Sequence, residues 1–187
     1  MEFIEYQAVL PGLRDQGITE VEDDQGRIRL EADPSPTLQV LHFKSETSTT
    51  PPYPDARILD RAKENLPAEI IEILGRLHLN EVIVVPVCEW QGVIVCAAYD
   101  LANDETWIEF DAVAALHQKT RDPLAVTRGE FSVLQVMIKA ILENGESPAQ
   151  DLIITSDLIP LLIEVFPDGT VSVTCRQDVA DELVRNL

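Results

Sequence analysis

The stretch Asn80-Glu-Val-Ile-Val-Val-Pro-Val-Cys-Glu-Trp-Gln-Gly-Val-Ile-Val-Cys-Ala-Ala-Tyr-Asp100 decides how the rest of the chain is read. It carries two apolar runs, Val82–Cys88 and Val93–Tyr99, parted by a short polar turn that ends in Gly92. β-Branched residues fill both runs without polar alternation, the pattern of strands covered on both faces. The link is too short for a parallel crossover, so residues 82–99 read as an antiparallel hairpin at the centre of a sheet. Pro86 cannot donate a ladder hydrogen bond and marks a bulge or an edge. Trp90, at the turn, is the large apolar residue expected to stay partly exposed, and so the expected contact point.

Outward from this centre, both sides read as helical. Asp55 is placed to cap a helix starting at Ala56, with Ile58, Leu59, Ala62 and Leu66 as its stripe. Pro67 ends that helix or opens the next, whose apolar face is Ile70, Ile71, Leu74 and Leu77. After the hairpin, Asn103-Asp104-Glu105 reads as a turn, Thr106–Phe110 as a third strand, and Asp111 as the cap of a helix through Lys119. Thr127-Arg-Gly-Glu130 has the form of a capping box, followed at helical spacing by Phe131, Leu134, Ile138, Ile141 and Leu142. Leu161–Phe166, Pro167-Asp168-Gly169 and Thr170–Cys175 give the strongest hairpin pattern, and residues 178–187 a last amphipathic helix.

At the other end, residues 2–10 read as a strand stopped by Pro11-Gly12. Ile18–Glu22 and Arg27–Glu31 form a polar edge hairpin around Asp23-Asp24-Gln25-Gly26, and Thr37–Phe43 is a further strand. Ser45–Pro54, rich in Ser, Thr and Pro, reads as a surface loop, or as a linker between a β-rich piece 1–44 and the rest. The fold class is therefore α+β: a central, mostly antiparallel sheet built from hairpins at 82–99 and 161–175 and packed by roughly four to six helices. A single domain spans residues 1–187, with 1–44 as a candidate subdomain.

The charge excludes one class of partner. Against 14 Lys and Arg stand 33 Asp and Glu, a formal net charge of -19. Binding to nucleic acid replaces phosphate counterions with basic side chains, and no basic patch occurs: Arg57, Arg61 and Lys63 alternate with Asp55, Asp60 and Glu64. Direct nucleic-acid and membrane binding are not expected. The acids are spread along the chain rather than gathered in a tail, which favours a role in solubility over a dedicated docking face or a nucleic-acid mimic.

No phosphate loop, dinucleotide fingerprint, zinc-protease helix, nucleophile elbow or CxxC pair is present, so no cofactor, metal site or catalytic residue is assigned. Cys88 and Cys96 would face each other across the expected hairpin, but eight-residue spacing makes no zinc knuckle, and core thiols explain them and Cys175 better. His117 with Cys88 or Cys96 would make a nucleophile–base pair only if folding brought them together; these three are the candidate reactive residues. The expected function is non-enzymatic: a cytoplasmic chain acting by protein or small-ligand binding through an acidic surface, with a basic protein or a second copy in a homodimer as partner. A small hydrolase or thiol-dependent enzyme with a pocket beside the central hairpin is the first alternative, and a nucleic-acid mimic that inhibits a basic partner the second.

Overall fold

The computed structural model describes residues 1–24, 27–102 and 105–186. In chain order the elements are β1 (Glu2–Phe3), α1 (Tyr6–Asp15), β2 (Ile18–Glu22), β3 (Ile28–Ala32), β4 (Leu38–Lys44), β5 (Arg57–Asp60), α2 (Leu66–Arg76), β6 (Glu81–Pro86), α3 (Trp90–Leu101), α4 (Glu105–Ala114), β7 (Leu124–Thr127), α5 (Phe131–Asn144), β8 (Leu152–Thr155), β9 (Leu162–Phe166), β10 (Thr170–Arg176) and α6 (Gln177–Asn186). Eight strands form one sheet in the order β1-β7-β6-β8-β9-β10-β4-β5, and β2 pairs with β3 in a separate two-stranded sheet. Every join in the large sheet is antiparallel except β4–β5. The α+β class holds.

Alternation along the strands divides the sheet into two faces. Val82, Val84, Ile154, Ile163, Val165 and Val173 enter the main core, where residues of α2, α3 and α5 meet them. Ile83, Val85, Ile153 and Leu162 turn the other way and are covered by Val9 and Leu13 of α1 and by Ile18 and Leu30 of the β2–β3 hairpin. No helix among the described residues is long and apolar enough to cross a membrane.

The opening stretch is corrected in its second half. Residues 81–86 form a strand, but residues 90–101 form a helix, so 82–99 is not a hairpin. The physical reason is a shortage of edges: β6 already pairs with β7 on one side and β8 on the other. The helix was hidden because an apolar run shows no polarity period. Burial shows it, since Trp90, Val93, Ile94, Ala97 and Leu101 are buried at helical spacing while Val95 is 67% exposed. Thr106–Phe110 is likewise helical, with Trp107, Phe110 and Ala114 buried one turn apart, and Asp111 lies inside α4 rather than at its cap.

Two more expectations change. The strand over residues 2–10 shortens to Glu2–Phe3, and α1 runs through Pro11 to Asp15 because Val9, Leu10 and Leu13 bury one face of it. The helix expected from Ala56 is instead β5, parallel to β4, and Asp55 is no cap but holds a left-handed backbone at φ 61°. Pro67 sits in the first turn of α2. The hairpins 18–32 and 161–175, the strand near 38–43 and the helix after Thr127 appear as expected. Gly169, at φ 86°, closes the three-residue turn between β9 and β10. The turn residues Gln25-Gly26 and Asn103-Asp104, and Leu187 at the end of the last helix, lie outside the described residues.

Candidate ligand-binding site

The face of the sheet away from α2, α3 and α5 becomes polar at β9. Glu164 sits mid-strand, opposite Ile153 of β8 and Ser172 of β10, and Ser172 in turn lies opposite His42 of β4. His42 Nδ1 and Ser172 Oγ are 3.3 Å apart, and both residues are buried. Burial lowers the pKa of this imidazole, with the charge of Asp168 acting the other way. A carboxylate in such a position must find partners or give up its charge, and two come down onto Glu164 from outside the sheet.

One is Arg29 of β3. Its Nη2 donates to Glu164 Oε1 at 3.1 Å and its Nη1 to Asp151 Oδ2 at 3.0 Å, and its guanidinium lies 5.3 Å from the centre of the Phe166 ring. The other is Tyr53, whose hydroxyl donates to Glu164 Oε2 at 2.7 Å. Tyr53 belongs to the crossover of residues 45–56 that carries the chain from β4 to β5. This Ser/Thr/Pro-rich segment has no helix or strand but is well anchored. Asp168 Oδ2 accepts from the amides and hydroxyls of both Thr49 and Thr50, at 2.7 to 3.0 Å, and Thr47 Oγ1 donates to the Asp168 carbonyl at 2.6 Å.

These contacts set the local electrostatics. Burial raises the Asp151 carboxyl to about 6, with the charge of Arg29 restraining it. Burial also raises Glu164, against the Tyr53 hydrogen bond and the Arg29 charge. The Tyr53 hydroxyl is pushed up by burial and by the neighbouring Glu164. Asp168 goes the other way: burial alone would raise it, but the donors from Thr49, Thr170 and Thr50 prevail and hold it well below the usual carboxylate range.

Two clefts border the cluster. The first, about 400 Å³, is lined by Arg27, Arg29, Thr49, Thr50, Glu146, Asp151, Phe166 and Asp168, among others. The second, about 580 Å³, has the carboxylates of Glu31, Asp33, Asp55 and Glu164 around an apolar floor of Leu38, Val40 and Leu162, with no Lys, Arg or His in its lining. Glu31, Asp33 and Asp55 belong to none of the ion pairs among the described residues. The carboxylates are spread rather than convergent: no group of three His, Cys, Asp or Glu among the described residues is placed to hold a metal ion.

The residues singled out from the sequence lie elsewhere, Trp90 and His117 both against Phe3, and Cys96 and Cys88 both beside Gln150. Trp90 is fully buried, not exposed; its Nε1 donates to the Asp122 carbonyl at 2.7 Å, and Phe3 meets its ring edge-on at 5.5 Å. It packs the first turn of α3, which removes the reason for reading it as a contact point. His117 stacks on Phe3 at 4.2 Å, with Nδ1 3.0 Å from Asp122 Oδ2. Cys96 is buried and accepts a hydrogen bond from Gln150 Nε2 at 3.0 Å, and burial, with the charge of Glu146, raises its thiol pKa. Cys175 is pushed up by burial to about 12. Cys88 is half-buried against the second apolar cluster and lines a cleft of about 490 Å³ with Gln91, Val95 and Gln150. The His117 imidazole is thus engaged by Phe3 and Asp122, and the Cys96 thiol by Gln150. Sequence reasoning missed Arg29, Tyr53, Asp151 and Glu164, although Glu164, a single acid inside Leu161-Leu-Ile-Glu-Val-Phe166, was a signal: a charge in an apolar strand needs a partner from elsewhere in the chain.

No family model, no curated protein and no solved structure matches this chain.

Proposed function

We propose that this chain works by binding rather than by chemistry of its own, taking a basic partner against its acidic surface with the larger cleft as the point of contact. The observation that carries this reading is the lining of that cleft: Glu31, Asp33 and Asp55 stand around an apolar floor beside Glu164, whose charge Arg29 already answers from outside the lining, and no basic side chain belongs to it. Such a surface suits a cationic group on an aliphatic stem, as in a lysine or arginine side chain of a protein partner. Electrostatic complementarity of this kind favours encounter and selects the sign of the partner.

The enzyme reading draws less support. Two of the three thiols are buried and shifted toward the protonated form, whereas a catalytic thiolate needs its pKa lowered. Three free cysteines fit a reducing compartment, so the partner is to be sought in the cytoplasm.

The test is a calorimetric titration with an Arg/Lys-rich peptide at low salt and again at about 0.5 M salt, where exposed charges are screened. Binding that weakens with salt, and weakens further in a Glu31→Gln, Asp33→Asn, Asp55→Asn triple variant, supports the reading. Absent binding at low salt, or binding indifferent to both changes, defeats it.

A further inference from the structure

The β2–β3 hairpin and the 45–56 crossover are separate covers on one face of the sheet, and neither is held there by much buried apolar surface. Among the hairpin's strand residues only Ile18 and Leu30 are buried. No apolar residue of the crossover is buried; hydrogen bonds hold it instead. Segments with few buried apolar contacts are the ones that open below the global unfolding free energy. A left-handed residue stands near one end of each, Gly17 before β2 and Asp55 before β5.

The two covers meet at one side chain. Glu164 gives one carboxylate oxygen to Arg29 of the hairpin and the other to Tyr53 of the crossover. The Arg29–Glu164 pair also stands between the clefts, since Arg29 lines the smaller and Glu164 the larger. We propose that the hairpin and the crossover are two leaves of a single gate coupled through Glu164, and that its opening joins the two clefts into one.

The coupling has a physical basis. An ion pair or charged hydrogen bond is strong while water is excluded and weakens once water reaches it. Each leaf shields the other's bond to the shared carboxylate, so release of one admits water to both. The charged and titratable groups around this point are Arg27, Arg29 and Glu31 on the hairpin side, Tyr53 from the crossover, Asp151 and Glu164 from the sheet, and Glu146 and Asp168 along the smaller cleft. The gate is a property of the chain alone, so failure of a basic peptide to bind would not bear on it.

Hydrogen exchange of the full chain, followed by mass spectrometry, tests the gate. Tyr53→Phe removes one hydroxyl from a half-exposed ring and is expected to speed exchange about tenfold, the scale of one charged hydrogen bond. That rise should appear in β2 and β3 as well as at Thr49, Thr50 and Ala56. Arg29→Met should do the reverse, loosening the crossover amides along with its own strand. Thr47→Val, which cuts the crossover's bond to the Asp168 carbonyl without touching Glu164, should loosen the crossover alone. Variants that each loosen only their own segment overturn the proposal. So does a Thr47→Val chain that frees the hairpin as much as Tyr53→Phe does, or a Tyr53→Phe chain in which β6 and β8 exchange faster too, since either means general loosening.

Discussion

With Asp151 titrating near 6 rather than in the usual carboxylate range, folding and pH are linked with a definite sign. The folded chain holds this proton more tightly than the unfolded chain, so the contribution is fully present below the unfolded value of about 4 and is lost as pH rises through about 6. Glu164 is shifted in the same direction. Chemical denaturation at constant ionic strength should therefore give a higher stability at pH 5 than at pH 7.5, by about 1.4 kcal/mol for Asp151, and Asp151→Asn should flatten that slope. Asp168 works oppositely, stabilising at neutral pH and giving that up only in strong acid. Removing Arg29 leaves two carboxylates, each 3% exposed, without their cation. Arg29→Met should cost about 3 kcal/mol at pH 7, and less at pH 5, where the stranded acids take up protons. A loss equal at both pH values would contradict the account. Of this cluster the sequence betrayed one member: Glu164 stands out in an apolar strand. Arg29 looked like any charge on a polar edge hairpin, and Tyr53 like part of a loop. What joins them to Glu164 is tertiary placement, 135 and 111 residues away along the chain.

Among elements, α3 is the informative case. Val95 projects outward from it, 67% exposed. In a helix a solvent-facing valine is a poorer choice than alanine, whereas in a strand it is the better one. Val95→Ala should therefore raise the denaturation midpoint, corresponding to about 0.5 kcal/mol, and a fall would contradict the placement of Val95 on the solvent side of α3. The capping turn before α5 offers a second check: Thr127 gives its amide and hydroxyl to Glu130 Oε2 at 2.9 and 2.6 Å, and Thr127→Ala should cost about 1 kcal/mol. Elements with punctuation were legible from the residues. Pro167-Asp168-Gly169 fixed the turn of 161–175, and Thr127-x-x-Glu130 fixed the start of α5. Where an apolar run had no such mark, as at residues 93–99, its local preference for strand was overridden by a sheet with no free edge beside β6.

At the scale of the molecule, the net charge of -19 sets the colloidal and thermal behaviour. Self-repulsion of this size outweighs a modest set of surface ion pairs, most of which contribute little. Added sodium chloride, to about 0.3 M, should raise the melting temperature by screening that repulsion; a drop would mean that the ion pairs dominate. The sign of the charge was legible from composition, while the gathering of Glu31 and Asp33 with Asp55 and Glu164 around one cleft was not, because it joins three separate parts of the chain. The strand order carries one more consequence. β4 is hydrogen-bonded along its whole length to β10, which begins at Thr170. A ribosome working from the N-terminus releases β4 long before its neighbour exists. The nascent chain must carry that bare edge until β10 has been made, and β10 is the strand that seals it.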